Sequence, residues 1–133
     1  MKGFYAILIS LSVLFVSCKK NNDDPGFATA AKIQGKWQID SVTINQHLNG
    51  TTNKQTIAGS AADYINFGTD GNMETNFKGN KNVSAYKVKS DTIITIEGDS
   101  GYIEELTDTK LRLYTKAEAG GIGYMETIYY LSR

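Results

Sequence analysis

The stretch that decides the fold is Ile-Gln-Gly-Lys-Trp-Gln-Ile at residues 33–39. It contains the only tryptophan of the chain, two residues after a glycine and at the start of a run in which apolar and polar residues alternate. Such alternation is typical of a β-strand with one buried face. We therefore expect the strands that follow to close around the Trp37 ring.

The composition predicts a single β-rich domain. The chain has 133 residues, enough for one domain, with 13 glycines, 8 tyrosines and 1 proline, a pattern that favours strands joined by glycine turns. The 14 basic and 14 acidic side chains cancel, so no strong positive field exists to recruit nucleic acid. Nucleic acid is therefore not expected as a partner.

The first 17 residues predict a cleaved signal peptide. Lys2 precedes an apolar run at residues 4–16, which is too short to span a membrane comfortably. The only cysteine, Cys18, follows the small residue Ser17 at the expected cleavage point.

Residues 15–18, Phe-Val-Ser-Cys, resemble the lipobox of bacterial lipoproteins. That resemblance implies that Cys18 carries fatty-acyl chains such as palmitate and anchors the protein in the cell envelope, with the outer membrane the expected location. Two or three such chains give stable attachment, since each buried methylene contributes about 0.8 kcal/mol. A plain signal peptide followed by an incidental cysteine is the alternative.

Residues 18–30 are interpreted as the lipidated cysteine and a flexible tether. The charged run after Cys18 partly resembles a surface-display signal, and a solvated spacer explains it equally well. A short helix is predicted over residues 27–34, with Asp24 as N-cap, Pro25 in the first turn and Gly35 as the stop.

Residues 31–133 are interpreted as an all-β domain. The Asp70-Gly71 pair between apolar runs predicts a hairpin, residues 98–101 predict a turn, and residues 47–62, being polar, are predicted to form the longest loop. The apolar phase slips after Ile39, which predicts a bulge near Asp40. Eight strand-like segments are found: 36–45, 64–67, 72–78, 83–89, 92–97, 102–107, 110–115 and 123–131. Their regular spacing favours an up-and-down antiparallel barrel.

Three segments resemble lipocalin-like domains: residues 33–37, with Gly-x-Trp; residues 64–72, with the Phe-x-x-Asp-Gly hairpin; and residues 102–113, with Ile-x-x-Leu-Thr-Asp-x-x-Leu-x-Leu. The resemblance implies an eight-stranded calycin-type barrel with Gly35 and Trp37 at its closed end. It also implies that Arg133 lies over the tryptophan ring as a cation on an aromatic face.

No catalytic group, metal site or cofactor is predicted. His47, the only histidine, is interpreted as a solvated loop residue. Glu104 and Glu105 are adjacent in a strand, so they are expected to point to opposite faces and to be surface charges.

The expected function is non-enzymatic binding of a small apolar or amphipathic ligand at the open end, near residues 47–62. Tyr86, Tyr102 and Tyr124 are the candidate ligand-binding residues, because some strand tyrosines must face inward. The alternative is a solid barrel that serves as a structural or protein-interaction module of the envelope.

Overall fold

The computed structural model describes residues 24–133, which form one short helix and one antiparallel sheet of nine strands. The predicted signal peptide, Cys18 and most of the tether lie outside the described residues. Within residues 24–133, no helix is long and apolar enough to cross a membrane. The elements are α1 (Phe27–Ile33), β1 (Gly35–Leu48), β2 (Thr51–Ala58), β3 (Tyr64–Phe67), β4 (Asn72–Phe77), β5 (Asn80–Val88), β6 (Ile93–Ile96), β7 (Asp99–Leu106), β8 (Lys110–Glu118) and β9 (Gly123–Ser132).

The sheet closes into a barrel because β1 is paired along both edges. One edge of β1 pairs with β9. Along the other edge, β3 pairs with residues 35–38 and β2 pairs with residues 41–48, so that β2 and β3 are two halves of one interrupted barrel strand. The predicted eight-stranded up-and-down antiparallel barrel is confirmed.

The bulge predicted near Asp40 is also confirmed. The register between β1 and β9 shifts between Ile39 and Ser41, and the Ser132 hydroxyl donates a hydrogen bond of 2.7 Å to the Asp40 carboxylate. The extra residue turns Val42 to the same interior side as Ile39, and both side chains are buried in the core. One bent strand thus contributes buried residues on both sides of the bulge.

The prediction of a long loop at residues 47–62 is wrong, since most of it is β2. The turn between β1 and β2 is Asn49-Gly50, with φ of 50° and 77°, the backbone that a two-residue hairpin of type I′ requires. Seven of the eight β2 residues are exposed, so the strand carries no apolar alternation to reveal it.

The turn predicted at residues 98–101 is displaced toward the N-terminus. Glu97 and Gly98 make the turn, and β7 begins at Asp99.

The break between β2 and β3 is organised by Asp63, whose side chain is almost completely buried. Its carboxylate accepts hydrogen bonds from the Ser60 amide at 2.8 Å and from the Lys78 amide at 2.8 Å. These bonds, chiefly those from the two amides, lower the pKa of Asp63 to about 2. The carboxylate therefore fastens residues 59–63 to the β4–β5 turn.

The predicted helix is confirmed, whereas its predicted cap is wrong. The N-cap is Gly26 in a left-handed conformation with φ of 83°, and no side chain caps the helix. The α1 helix covers one end of the barrel: Ile33 is fully buried, and the Thr29 hydroxyl donates to Asp91 at 2.8 Å.

Trp37 fills the closed end beneath this helix. Its ring is fully buried, and its indole N–H donates to the Ile33 carbonyl at 2.7 Å. The Arg133 guanidinium carbon lies 4.0 Å from the centroid of the ring, within the range of a cation–π contact. The same guanidinium donates to the carbonyls of Lys32 and Gln34, each at 2.8 Å. Trp37 and Arg133 therefore satisfy the carbonyls that the end of a helix leaves unpaired.

We predict that Trp37→Ala lowers the free energy of unfolding by about 3 to 5 kcal/mol, because it removes a fully buried aromatic side chain. Urea denaturation followed by circular dichroism measures the change. Tyr102→Ala is the control, since Tyr102 is 48% exposed and its loss is expected to cost about 0.5 kcal/mol or less. Equal stability of Trp37→Ala and the parent would contradict the role of Trp37 in filling the closed end of the barrel.

We also predict that Asp63→Asn destabilises the fold at neutral pH. Because the pKa of Asp63 is lowered in the folded state to about 2, its carboxylate stabilises the fold fully above its ordinary pKa of 3.8, and this stabilisation is lost as the pH falls through about 2. Urea denaturation as a function of pH should show a stability difference between parent and variant that is constant above about pH 5 and shrinks below it. A stability difference that does not change with pH would refute the assignment of the stabilisation to the ionised Asp63 carboxylate.

Candidate binding cavity

The barrel holds a cavity of about 360 Å³ at the end opposite α1. The pairing registers place the β4–β5, β6–β7 and β8–β9 turns at this end, whereas the 68–71 and 107–109 turns lie with α1 at the other. This volume is near the lower limit for a small-molecule pocket. The closed half of the barrel is packed solid around Trp37, and the open half is hollow.

The floor of the cavity is apolar. Inward-facing side chains alternate along each strand, and five of them meet at mid-height: Ile65, Met73, Ile94, Leu113 and Tyr129. Four of the five are buried core residues, and Tyr129 packs against them. A ligand would lie against hydrocarbon and an aromatic ring here.

Neutral polar groups line the walls above the floor: Thr75, Asn82, Ser84 and Thr115. Ser84 is buried and accepts a hydrogen bond from the Asn82 amide at 3.2 Å. Tyr129 adds a hydroxyl. Burial raises the pKa of Tyr129, so this phenol stays protonated at neutral pH.

Two charged residues stand at the mouth, and only one faces it. Asp99 is exposed and pairs with Ile96, on the inward side of β7. The Lys116 ammonium is instead drawn to the outer face, where it lies 3.1 Å from the Glu118 carboxylate and 4.2 Å from the centroid of Tyr124. The Glu118 carboxylate also raises the pKa of Lys116. Asp99 is therefore the charged side chain of the lining that faces the mouth.

The three candidate tyrosines do not line this cavity. Tyr86 lies inside the closed half, where its ring meets Phe67 edge-on at 5.1 Å and its hydroxyl donates to the Gly68 carbonyl at 2.5 Å. Tyr102 and Tyr124 are on the outer face, in contact with Tyr114 and His47 respectively. The tyrosine that does line the cavity, Tyr129, is not among these three candidates. Its inward orientation follows from the register of β9 with β1 beyond the bulge, which the sequence does not specify.

The interpretation of His47 as a solvated loop residue is wrong. His47 lies in β1 on the outer face of the sheet. It is half-buried against Tyr124, and the centroids of the two rings are 4.5 Å apart. One ring nitrogen is 2.9 Å from the Thr52 hydroxyl and the other is 3.0 Å from the Glu126 carboxylate. Glu126 also accepts from the Tyr114 hydroxyl at 2.8 Å. This cluster joins β2, β1, β9 and β8 on the outside of the barrel, away from the cavity.

The pKa values of Glu126 and Tyr114 in this outer-face cluster follow from those contacts. Hydrogen bonds from Tyr114 and His47 lower the pKa of Glu126, whereas burial and the Glu126 carboxylate raise the pKa of Tyr114 to about 12. The cluster is therefore an anionic carboxylate held by neutral or cationic donors.

The expectation that Glu104 and Glu105 point to opposite faces is wrong. A bulge in β7 shifts the register between Ile103 and Glu105, and both carboxylates reach Arg112, at 3.0 Å and 3.8 Å. Both remain exposed surface charges. Within the described part of the chain, no three His, Cys, Asp or Glu side chains lie close enough to hold a metal ion.

Comparisons with known proteins identify one matching family and two similar solved structures. A family model described as a lipocalin-like domain matches residues 33–113. No curated protein matches the sequence significantly. Two similar solved structures are the bovine lipocalin allergen Bos d 2 (14% identity, TM-score 0.48, covering 78% of this chain and 74% of that one) and a dog lipocalin allergen (19% identity, TM-score 0.47, covering 76% and 73%).

Proposed function

The chain belongs to the lipocalin-like domain family, and from that premise we propose that it is a non-enzymatic, lipid-anchored binder of a small apolar or amphipathic molecule. The observation that carries the proposal is the cavity of about 360 Å³. An eight-stranded barrel is just wide enough either to be filled by its own side chains or to hold one small ligand. In this chain the core side chains fill the barrel only to about half of its height.

The shape of the cavity supports binding of an amphipathic molecule. The apolar floor removes hydrocarbon from water, at about 25 cal/mol per Å² of apolar surface buried. The hydroxyl and amide groups above it give a ligand directional partners, as in small-molecule sites generally. The predicted open end is thus the proposed site, although none of its lining residues comes from residues 47–62.

We propose that the anchor is Cys18, on the strength of the signal sequence and of the small residue before the cysteine. The envelope, with the outer membrane as the expected location, is part of the same proposal. Five residues lie between Cys18 and Asp24, a reach of at most about 20 Å. Gly26 approaches Ser90, in the β5–β6 connection at the closed end. The tether thus joins the barrel at its closed end, leaving the mouth on the far side.

A second candidate function is docking of another envelope component to the outer face. It is favoured by the exposed tyrosines Tyr102 and Tyr130, which are 48% and 37% exposed, since Tyr is enriched at protein interfaces. Under this alternative, closing the cavity would leave function intact.

We predict that Ala117→Trp abolishes ligand binding and that Ala85→Trp does not. Ala117 lines the mouth of the cavity, whereas Ala85 is exposed on the outer face of β5, next to the lining residue Ser84, so the two substitutions add the same bulk on opposite sides of the sheet. Native mass spectrometry of the full chain purified from its source should detect a bound small molecule in the parent and in Ala85→Trp only.

Retention of the same bound mass by Ala117→Trp would overturn the cavity as the site. A parent protein with no bound mass that copurifies with an envelope protein through its outer face would favour the docking function instead.

For the anchor, we predict that the parent incorporates labelled palmitate in its source cells and that Cys18→Ala does not. The thiol of Cys18 is the only one in the chain, so no other side chain provides the same attachment. Ser17→Ala is the matched control, since it keeps a small residue before the cysteine and should be labelled like the parent. Labelling of Cys18→Ala, or an unlabelled parent, would refute the anchor.

A further inference from the structure

The charges around the cavity restrict which ligands it can hold. Of its 14 lining residues only Asp99 and Lys116 carry a charge, and the Lys116 ammonium is engaged outside by Glu118 and Tyr124. An anionic ligand would lose its water and gain a cationic partner only if the Lys116 ammonium left Glu118 and Tyr124, and it would pass the Asp99 carboxylate at the mouth. Burying an unpaired charge in this way is strongly unfavourable.

A cation is not favoured either. Asp99 is exposed, and attraction between solvent-exposed charges contributes little. The groups inside the cavity are hydrocarbon, hydroxyls and one amide, which suit a neutral molecule.

The volume sets the size of the ligand. At about 30 Å³ of liquid volume for each water molecule, 360 Å³ corresponds to about a dozen non-hydrogen atoms. A membrane-length acyl chain exceeds this and could not be enclosed.

One hydroxyl is available to orient such a molecule. Tyr129 borders both the apolar floor and the polar walls, and its phenolic hydroxyl can donate to or accept from a ligand group. Ser84, which lines the same cavity, accepts a hydrogen bond from the Asn82 side-chain amide and keeps its own hydroxyl proton to donate.

We infer that the cavity selects an uncharged ligand of about a dozen non-hydrogen atoms, whose apolar part lies against Ile94 and Leu113 and whose hydrogen-bonding group meets the Tyr129 hydroxyl. This inference rests on the proposed binding function and specifies its ligand class. Fatty acids, which are anionic at neutral pH, are excluded by it.

The test uses three probes that share one skeleton: 4-phenylbutan-1-ol, 4-phenylbutanoate and 4-phenylbutylamine. The full chain, carrying ¹³C-methyl methionine in lipid nanodiscs, is titrated with each probe and observed by NMR. Met73 lies in the floor of the cavity, so its methyl signal reports occupation of the cavity. Empty nanodiscs measure partition of the probes into lipid.

We expect the alcohol to shift the Met73 methyl signal saturably and to bind at least about tenfold more tightly than the carboxylate, since leaving a charge unpaired costs more than the 1.4 kcal/mol that a factor of ten represents. Tyr129→Phe should weaken binding of the alcohol by about 2- to 10-fold, the equivalent of one net hydrogen bond. Tyr130→Phe, the neighbouring exposed tyrosine on the opposite face, should bind like the parent.

Equal or tighter binding of the carboxylate overturns the inference and leaves the binding function standing. Tenfold tighter binding of the amine overturns it in favour of recognition by Asp99. Unchanged affinity of Tyr129→Phe refutes the hydroxyl's role. Failure of all three probes to move the Met73 signal overturns the binding function and this inference together.

Discussion

The rest of the structure depends on how the closed end of the barrel is sealed. A short helix must end above a hydrophobic interior, and its last carbonyls need partners that a sheet cannot supply. The Trp37 indole reaches one of them, and the Arg133 guanidinium reaches the carbonyls on either side while lying over the ring. Residues from the first and last strands thereby meet around one helix end, so the contact closes the barrel as well as capping it.

Closure also requires a first strand long enough to be paired on both edges. The β1 strand achieves this by bending at Asp40, and the strand opposite it accommodates the bend by breaking into β2 and β3. Asp63 accepts hydrogen bonds from the Ser60 amide in this interruption and from the Lys78 amide in the β4–β5 turn, so neither amide is left without a partner. A single buried carboxylate thus makes the irregularity compatible with a continuous barrel.

The same geometry explains why the barrel is only half filled. Large side chains, Trp37 and Phe67 among them, occupy the closed half. Toward the mouth the inward positions are taken by smaller residues such as Thr75, Ser84 and Ala117. Side chains of this size do not reach across an eight-stranded barrel, and the space that remains is the proposed binding site. Stability is concentrated at one end, and binding at the other.

Local signals in the sequence predict the fold class, the helix before the tryptophan, the 68–71 hairpin and the bend near Asp40: apolar alternation, a turn dipeptide or a slip of apolar phase marks each of them. No such pattern marks β2, although Asn49-Gly50 is a turn signal, because both faces of that strand are exposed and its residues show no apolar alternation.

Pairing between strands sets which tyrosine faces the cavity, where His47 lies and that Glu104 and Glu105 share Arg112. In each case one bulge or register shift changes the face of every residue that follows it. Such shifts are set by pairing between strands far apart in the chain, and local sequence carries little record of them.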